Sequence, residues 1–148
     1  MALIDLIDES VIRVPLVSGT KEELIREMVQ VLVDAGRIEN AQACLDAVFE
    51  REALGSTGLE NGIAVPHAKT TAVSELAIAI GIAPEGVEFA ALDGKPSQLF
   101  FLLLAPPDQS GPHIEALAEI ARLTKSAAFC RTLLSAGSPQ EVMELLTE

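Results

Sequence analysis

The sequence predicts an α/β protein in which a sheet lies between helical layers. Residues 76–83 and 99–104 are continuous apolar runs of strand length, the pattern of strands buried on both faces. Around them lie segments with apolar residues at helical spacing, each with its own start and stop signals. The 148 residues contain no repeat, low-complexity stretch or linker, so residues 1–148 read as a single domain.

The first strand is expected over 11–16, where Val-Ile-Arg-Val-Pro-Leu alternates enough for a short one. A helix then starts at Ser18-Gly19-Thr20, with Thr20 and Glu23 at capping-box spacing. Leu24, Met28, Val31 and Leu32 share one of its faces, and Gly36 ends it. Asn40 caps a second helix running to about Glu52, with Ala43, Ala47 and Val48 inward and Arg51 near its C-terminal end. Residues 54–62, with three glycines, Ser56, Thr57 and Asn61, form a loop. A short apolar run over 63–65 is stopped by Pro66. After the strand at 76–83, Pro84-Glu85-Gly86 is expected to turn the chain. The strongest strand signal, 99–104, runs into a second functional-looking loop over 105–112. His113 is expected to open a helix with Leu117, Ile120, Ala121 and Leu123 spaced for burial. A further helix lies near 127–134 and ends by Gly137. Ser138, Pro139 and Glu141 then supply the cap, the first-turn proline and the capping-box acid of the last one.

Composition narrows the function. With 49% hydrophobic residues but five Phe, no Trp and no Tyr, the core must be built from Leu, Ile, Val and Ala. A net charge of −12 argues against nucleic acid and anionic membranes and suits a partner with a basic face, although it also serves plain solubility. No apolar run is long enough to span a bilayer, so no membrane insertion is expected. Cys44 and Cys130 are far apart, show no CxxC pattern and fall in apolar helical stretches, which fits buried thiols in a reducing cytoplasm.

The chemistry concentrates at the two histidines and one arginine. His67 lies in Gly62-Ile63-Ala64-Val65-Pro66-His67-Ala68; Pro66 fixes its own φ and restricts Val65 to extended backbone, which aims the imidazole. His113 stands at an expected helix N-terminus, where the dipole disfavours imidazolium and favours anions. Arg51 offers a planar fork of donors to phosphate oxygens. Together they can carry a phosphoryl group without metal or nucleotide, with His67 transiently phosphorylated. Taken singly, each has a plainer reading. His67 could be a structural histidine satisfied by the backbone, His113 a surface loop residue, and Arg51 the partner of Glu50 or Glu52. Residues 55–62 could present N–H groups to phosphate or simply form a turn. Other signatures are missing: Gly94-Lys95 is followed by Pro96 without a P-loop, and there is no G-x-S-x-G, HExxH or strand-linked G-x-G-x-x-G.

These residues, together with the run Arg51-Glu52-Ala53-Leu54-Gly55-Ser56-Thr57-Gly58-Leu59-Glu60-Asn61-Gly62, residues 99–107 and Asp108-Gln109, resemble the enzyme IIA component of the bacterial phosphoenolpyruvate-dependent phosphotransferase system. The resemblance is to the fructose/mannitol class, which includes nitrogen-regulatory IIA proteins, and covers nearly the whole chain. It implies a mixed sheet flanked by helices on both sides. It implies that His67 accepts a phosphoryl group through Nε2 from HPr or its nitrogen-branch counterpart, that His113 hydrogen-bonds that group, and that Arg51 lies near it. Thr57, Asn61 and Gly62 are the expected substrate-binding positions of the loop. Asn61 stands where mannitol proteins carry glutamate and nitrogen-type proteins asparagine, which points to the nitrogen-type or fructose-type branch. No metal and no cofactor are implied. Two functions share that face: a cytoplasmic relay enzyme passing phosphate to an enzyme IIB, or a regulatory module whose phosphorylation state controls transporters or a sensor kinase. A two-histidine metal protein is the third and weakest reading.

Overall fold

The computed structural model describes residues 3–147. Two 3-10 turns, Leu3–Leu6 and Glu9–Val11, lead into strand β1 (Ile12–Arg13), which is shorter than the six residues expected. Its pairing stops at the cis Val14–Pro15 bond, although the Leu16 amide still donates to the Ile82 carbonyl at 2.8 Å. Leu16 packs so closely on Gly81 that a Cβ there would meet its Cδ1 at 2.7 Å, so any side chain at 81 would have to displace Leu16.

The helix signals of the sequence are realised as hydrogen bonds. Helix α1 (Lys21–Asp34) starts with the Thr20 hydroxyl accepting from the Glu23 amide and donating to the Glu23 carboxylate. It is followed by Gly36 at φ 73, the left-handed conformation glycine adopts freely. Helix α2 (Ala41–Ala53) is capped by Asn40. Its buried face is Cys44, Leu45 and Val48; Ala43 and Ala47, expected inward, are half-buried, because the stripe is rotated toward the larger side chains.

The sheet is completed by β2 (Ile63–Ala64), β3 (His67–Lys69), β4 (Ala77–Val87) and β5 (Ser97–Ala105). Its order is β1-β4-β5-β2, with β3 also on β5. β4 and β5 are antiparallel and the other pairs parallel, so the sheet is mixed. Pro84-Glu85-Gly86, expected as a turn, lies inside β4 instead. The ladder shifts register there and resumes at Val87 opposite Ser97, a bulge that tolerates a proline without an N–H and a glycine at φ 81. The reversal comes later, between Val87 and Ser97.

β2 and β3 form one interrupted edge. Ile63 pairs with Leu99 and His67 with Leu103, while Pro66 between them still accepts from the Leu103 amide at 3.0 Å. An edge is where a sheet tolerates proline. Helix α3 (Ser110–Thr124) follows a 3-10 turn, Pro107–Gln109; α4 (Ala127–Leu134) and α5 (Pro139–Thr147) complete the chain. Helix α3 starts at Ser110, so His113 is its fourth residue and does not open it. Its buried face is His113, Ala116 and Ile120; Leu117 is half-buried and Ala121, expected inward, is exposed. Ser138 caps α5 as expected, but the Glu141 carboxylate accepts from the Gly137 amide, one residue further back than in a capping box.

Helices α1 and α2 pack on each other and on β4 and β3; α3 and α4 pack on each other and on β5. Phe100, Phe101, Leu102, Leu103 and Leu104 are fully buried, so both faces of β5 are covered. Each such side chain contributes about 1.5–3 kcal/mol on burial. This makes β5 the rigid support of the edge that carries His67. Cys44 and Cys130 are buried and free, and burial pushes both thiols up from their ordinary range.

Candidate functional site

His67 opens β3, where the stiff Val65-Pro66 segment hands the edge from β2 to β3. Its Nδ1 lies 2.7 Å from the Val65 carbonyl oxygen. A carbonyl only accepts, so the neutral ring carries its proton on Nδ1 and keeps the Nε2 lone pair free. The backbone bond of the plainer reading is therefore present, and it also arms the opposite nitrogen.

Helix α3 brings His113 beside it. The ring centroids are 5.6 Å apart at an interplanar angle of 70°. His113 is 4% exposed and its Nε2 has no hydrogen-bond partner among the described residues. Burial, then the charges of His67 and Lys69, hold its pKa below the usual histidine range, so the ring is neutral near physiological pH. A buried polar nitrogen without a partner costs free energy unless a ligand meets it.

From the other side, the last turn of α2 supplies Arg51, whose Nη1 donates to the Gly55 carbonyl at 2.9 Å. Neither Glu50 nor Glu52 pairs with it among the described residues, so its charge is not neutralised. Arg51, His67, Lys69 and His113 line one cleft of about 480 Å³ between α2, β3 and α3. A smaller cavity of about 240 Å³ adjoins it through Arg51 and His67. Leu54 and Ile114, 84% and 65% exposed, stand at the first cleft as bare apolar groups. A nucleophilic nitrogen, a guanidinium with only Nη1 committed, an ammonium and a neutral imidazole around one opening suit an anionic group arriving on a partner's surface.

The chain matches the family model "Phosphoenolpyruvate-dependent sugar phosphotransferase system, EIIA 2" over residues 5–148. It belongs to that family. This EIIA 2 chain is 40% identical over 130 residues to the PTS system fructose-specific EIIA component of Haloferax volcanii, covering 88% of this chain and 84% of that protein. It is 36% identical over its whole length to the fructose-specific EIIABC component of Bacillus subtilis, of which it spans only 23%. In structure it superposes on the nitrogen regulatory protein IIA-Ntr of Neisseria meningitidis with a TM-score of 0.89 at 31% identity, covering 97% of this chain and 98% of that one. The mixed sheet flanked by helices is therefore the family's fold.

The glycine-rich loop of this EIIA 2 chain is built differently from the expected phosphate cradle. The amides of Gly55, Thr57, Gly58, Leu59 and Asn61 donate to Glu52 backbone, Glu52 side chain, Ser56 side chain, Ile63 backbone and Asp93 side chain. Those donors are spent on the protein's own acceptors. Asn61 is exposed at φ 62, and Gly62 holds the start of β5 by accepting from Gln98 and Leu99. From the register, the Ile63 end of the edge lies four residues, about 13 Å, from His67. Neither Asn61 nor Gly62 lines the His67 cleft. Thr57 reaches the smaller cavity, but its hydroxyl is donated to the Glu52 carboxylate.

One residue of the cleft escaped the sequence. Lys69 lies two positions after His67 in β3 and so on the same strand face, with Nζ 3.1 Å from Ser110 Oγ. Period-two alternation would have found it, had so short and polar a segment been recognised as a strand. Glu52, half-hidden in the sequence as a possible partner of Arg51, instead takes Lys21 and Thr57.

Proposed function

We propose that this chain is a phosphohistidine carrier: His67 Nε2 takes a phosphoryl group from the phosphohistidine of an HPr-type protein and passes it on. The bond from His67 Nδ1 to the Val65 carbonyl carries the reading, because it leaves the Nε2 lone pair as the free nucleophile of the cleft. The lone pair attacks phosphorus as the donor nitrogen leaves with its bonding electrons, so a P–N bond forms as another breaks. Arg51 meets the phosphoryl oxygens, and the His113 Nε2 receives the partner it lacks, donating its proton in a hydrogen bond to an oxygen. Lys69 adds a positive charge at the cleft. Transfer of this kind is mostly positioning and charge compensation, and needs neither metal nor nucleotide.

The donor is HPr or its nitrogen-branch counterpart, and the net charge of −12 suits a basic face on it. The acceptor is an enzyme IIB; in the Bacillus subtilis relative the A, B and C components carry one name. Such carriers would place its action in the cytoplasm; among the described residues no helix is long and apolar enough to cross a membrane.

The test is phosphotransfer from phosphoenolpyruvate through enzyme I and each carrier, with His67→Ala in parallel. The expected product is an acid-labile, alkali-stable phosphate on the wild type and none on the variant. A wild type that takes no label from either carrier refutes the carrier role.

A further inference from the structure

The side chain of Glu52, at the end of α2, is 6% exposed and lines neither the cleft nor the smaller cavity beside His67. It accepts from Lys21 Nζ at 2.7 Å, from the Thr57 amide at 3.2 Å and from the Thr57 hydroxyl. Lys21 is itself held, with its ammonium 4.6 Å from the Phe89 ring centroid. A buried carboxylate with a cation and two further donors is a fixed point in the structure, because losing Lys21 leaves its charge uncompensated and losing a Thr57 donor leaves an oxygen short of a hydrogen bond.

What that fixed point holds is Thr57, which is 5% exposed. The Thr57 carbonyl accepts from the Val65 amide at 3.0 Å. The Val65 carbonyl in turn accepts from His67 Nδ1. Pro66 restricts Val65 to extended backbone, so the main freedom left to this carbonyl is where residue 65 sits along the edge. β5 pins the residues on either side, through Ala64 and through the Pro66 carbonyl, and the Thr57 contact is what holds residue 65 itself. One continuous set of bonds therefore runs from the start of α1 through α2 and the glycine-rich loop to the ring of His67.

We propose that Glu52, anchored by Lys21, is the positioning residue for phosphoryl acceptance, acting through Thr57 and the Val65 backbone to hold His67 with Nε2 free. The inference rests on the reading of His67 as the acceptor. Glu52 touches neither the phosphoryl group nor the carrier; it sets the tautomer and aim of the ring. Without it the Val65 carbonyl drifts, the Nδ1 bond weakens, and part of the population protonates Nε2 instead, where no lone pair remains for attack.

The experiment compares the wild type with Thr57→Val, Thr57→Ser and Glu52→Gln, each checked by circular dichroism and by amide resonances remote from the site. Ring-nitrogen NMR, which distinguishes the two neutral tautomers from the imidazolium, reads the state of the His67 ring without any phosphorylation. Expected is a wild type with Nδ1–H predominant, and an increased Nε2–H population in Thr57→Val and Glu52→Gln. Single-turnover transfer from the carrier should fall by about ten- to a hundredfold in these two, with the carrier's KM unchanged because both residues are buried. Thr57→Ser, which keeps the hydroxyl, should restore tautomer and rate together. A folded Thr57→Val with wild-type tautomer and rate overturns the proposal, as does a Thr57→Ser that loses as much as Thr57→Val. If Glu52→Gln does not fold, the threonine pair decides alone. A wild type that accepts no phosphate sinks the carrier reading instead, while the tautomer comparison still reports whether Glu52 sets the ring.

Discussion

Replacing His113 by leucine should make the protein more stable and a worse carrier. His113 is 4% exposed and its Nε2 finds no partner among the described residues, so the resting protein bears the desolvation of that nitrogen, about 1–3 kcal/mol. A buried apolar side chain of similar size removes the cost. For a chain of 148 residues, 1 kcal/mol corresponds to about 2–4 °C in Tm, so a rise of about 2–12 °C is expected near neutral pH. Phosphotransfer should fall, because a hydrogen bond to a charged oxygen is worth about 1.5–3 kcal/mol and each 1.36 kcal/mol is tenfold, giving about ten- to a hundredfold. Acid adds a second signature. With the His113 pKa held below its ordinary value by burial, and by the charges of His67 and Lys69, the unfolded chain binds a proton before the folded one does. Its contribution to stability is therefore complete above about pH 6.5 and declines as pH falls below it, by at most about 1.4 kcal/mol per pH unit. The variant should lose that part of the decline. Urea unfolding across the acid range, paired with single-turnover transfer, reads all three effects. A His113→Leu protein that is less stable by more than 1 kcal/mol yet transfers phosphate normally would refute the reasoning.

Arg51→Lys keeps a cation but loses the planar fork; transfer should slow by about tenfold with stability changed by under about 1 kcal/mol, and an unchanged rate would remove Arg51 from the phosphate. Asn61→Gly should leave transfer untouched and stability within about 0.5 kcal/mol, since its exposed, left-handed backbone lies at the far end of the edge; slowed transfer in a folded variant would restore it to the site.

Much of the fold was legible because its signals are local. Thr20, Asn40 and Ser138 cap the helices their spacing promised, and the apolar runs at 76–83 and 99–104 are the two central strands. The misreadings have one source, which is that a neighbour in space overrode a local preference. Pro84 and Gly86 look like a turn, yet the partner strand continues beyond them and absorbs them as a bulge. His67-Ala68-Lys69 has no strand signal of its own, and becomes one only because β5 offers an edge. Ser110, Gly111 and Pro112 look like loop, yet form the first turn of α3. The glycine-rich loop has the composition of an anion cradle, and only the positions of Glu52, Ile63 and Asp93 turn its amides inward.

The sequence by itself determined the class of the fold, its helix ends, its central strands and the residue types that can carry a phosphoryl group. Those depend on spacing and side-chain chemistry within a few residues. The tertiary structure alone decided which of those groups meet. It placed His113 at 5.6 Å from His67, paired Arg51 with the Gly55 carbonyl in place of Glu50 or Glu52, added Lys69 and sent Asn61 and Gly62 to the other end of the edge. It also tied Glu52 to Lys21 and Thr57, residues remote in the chain, because a buried charge takes whatever partner packing delivers to it.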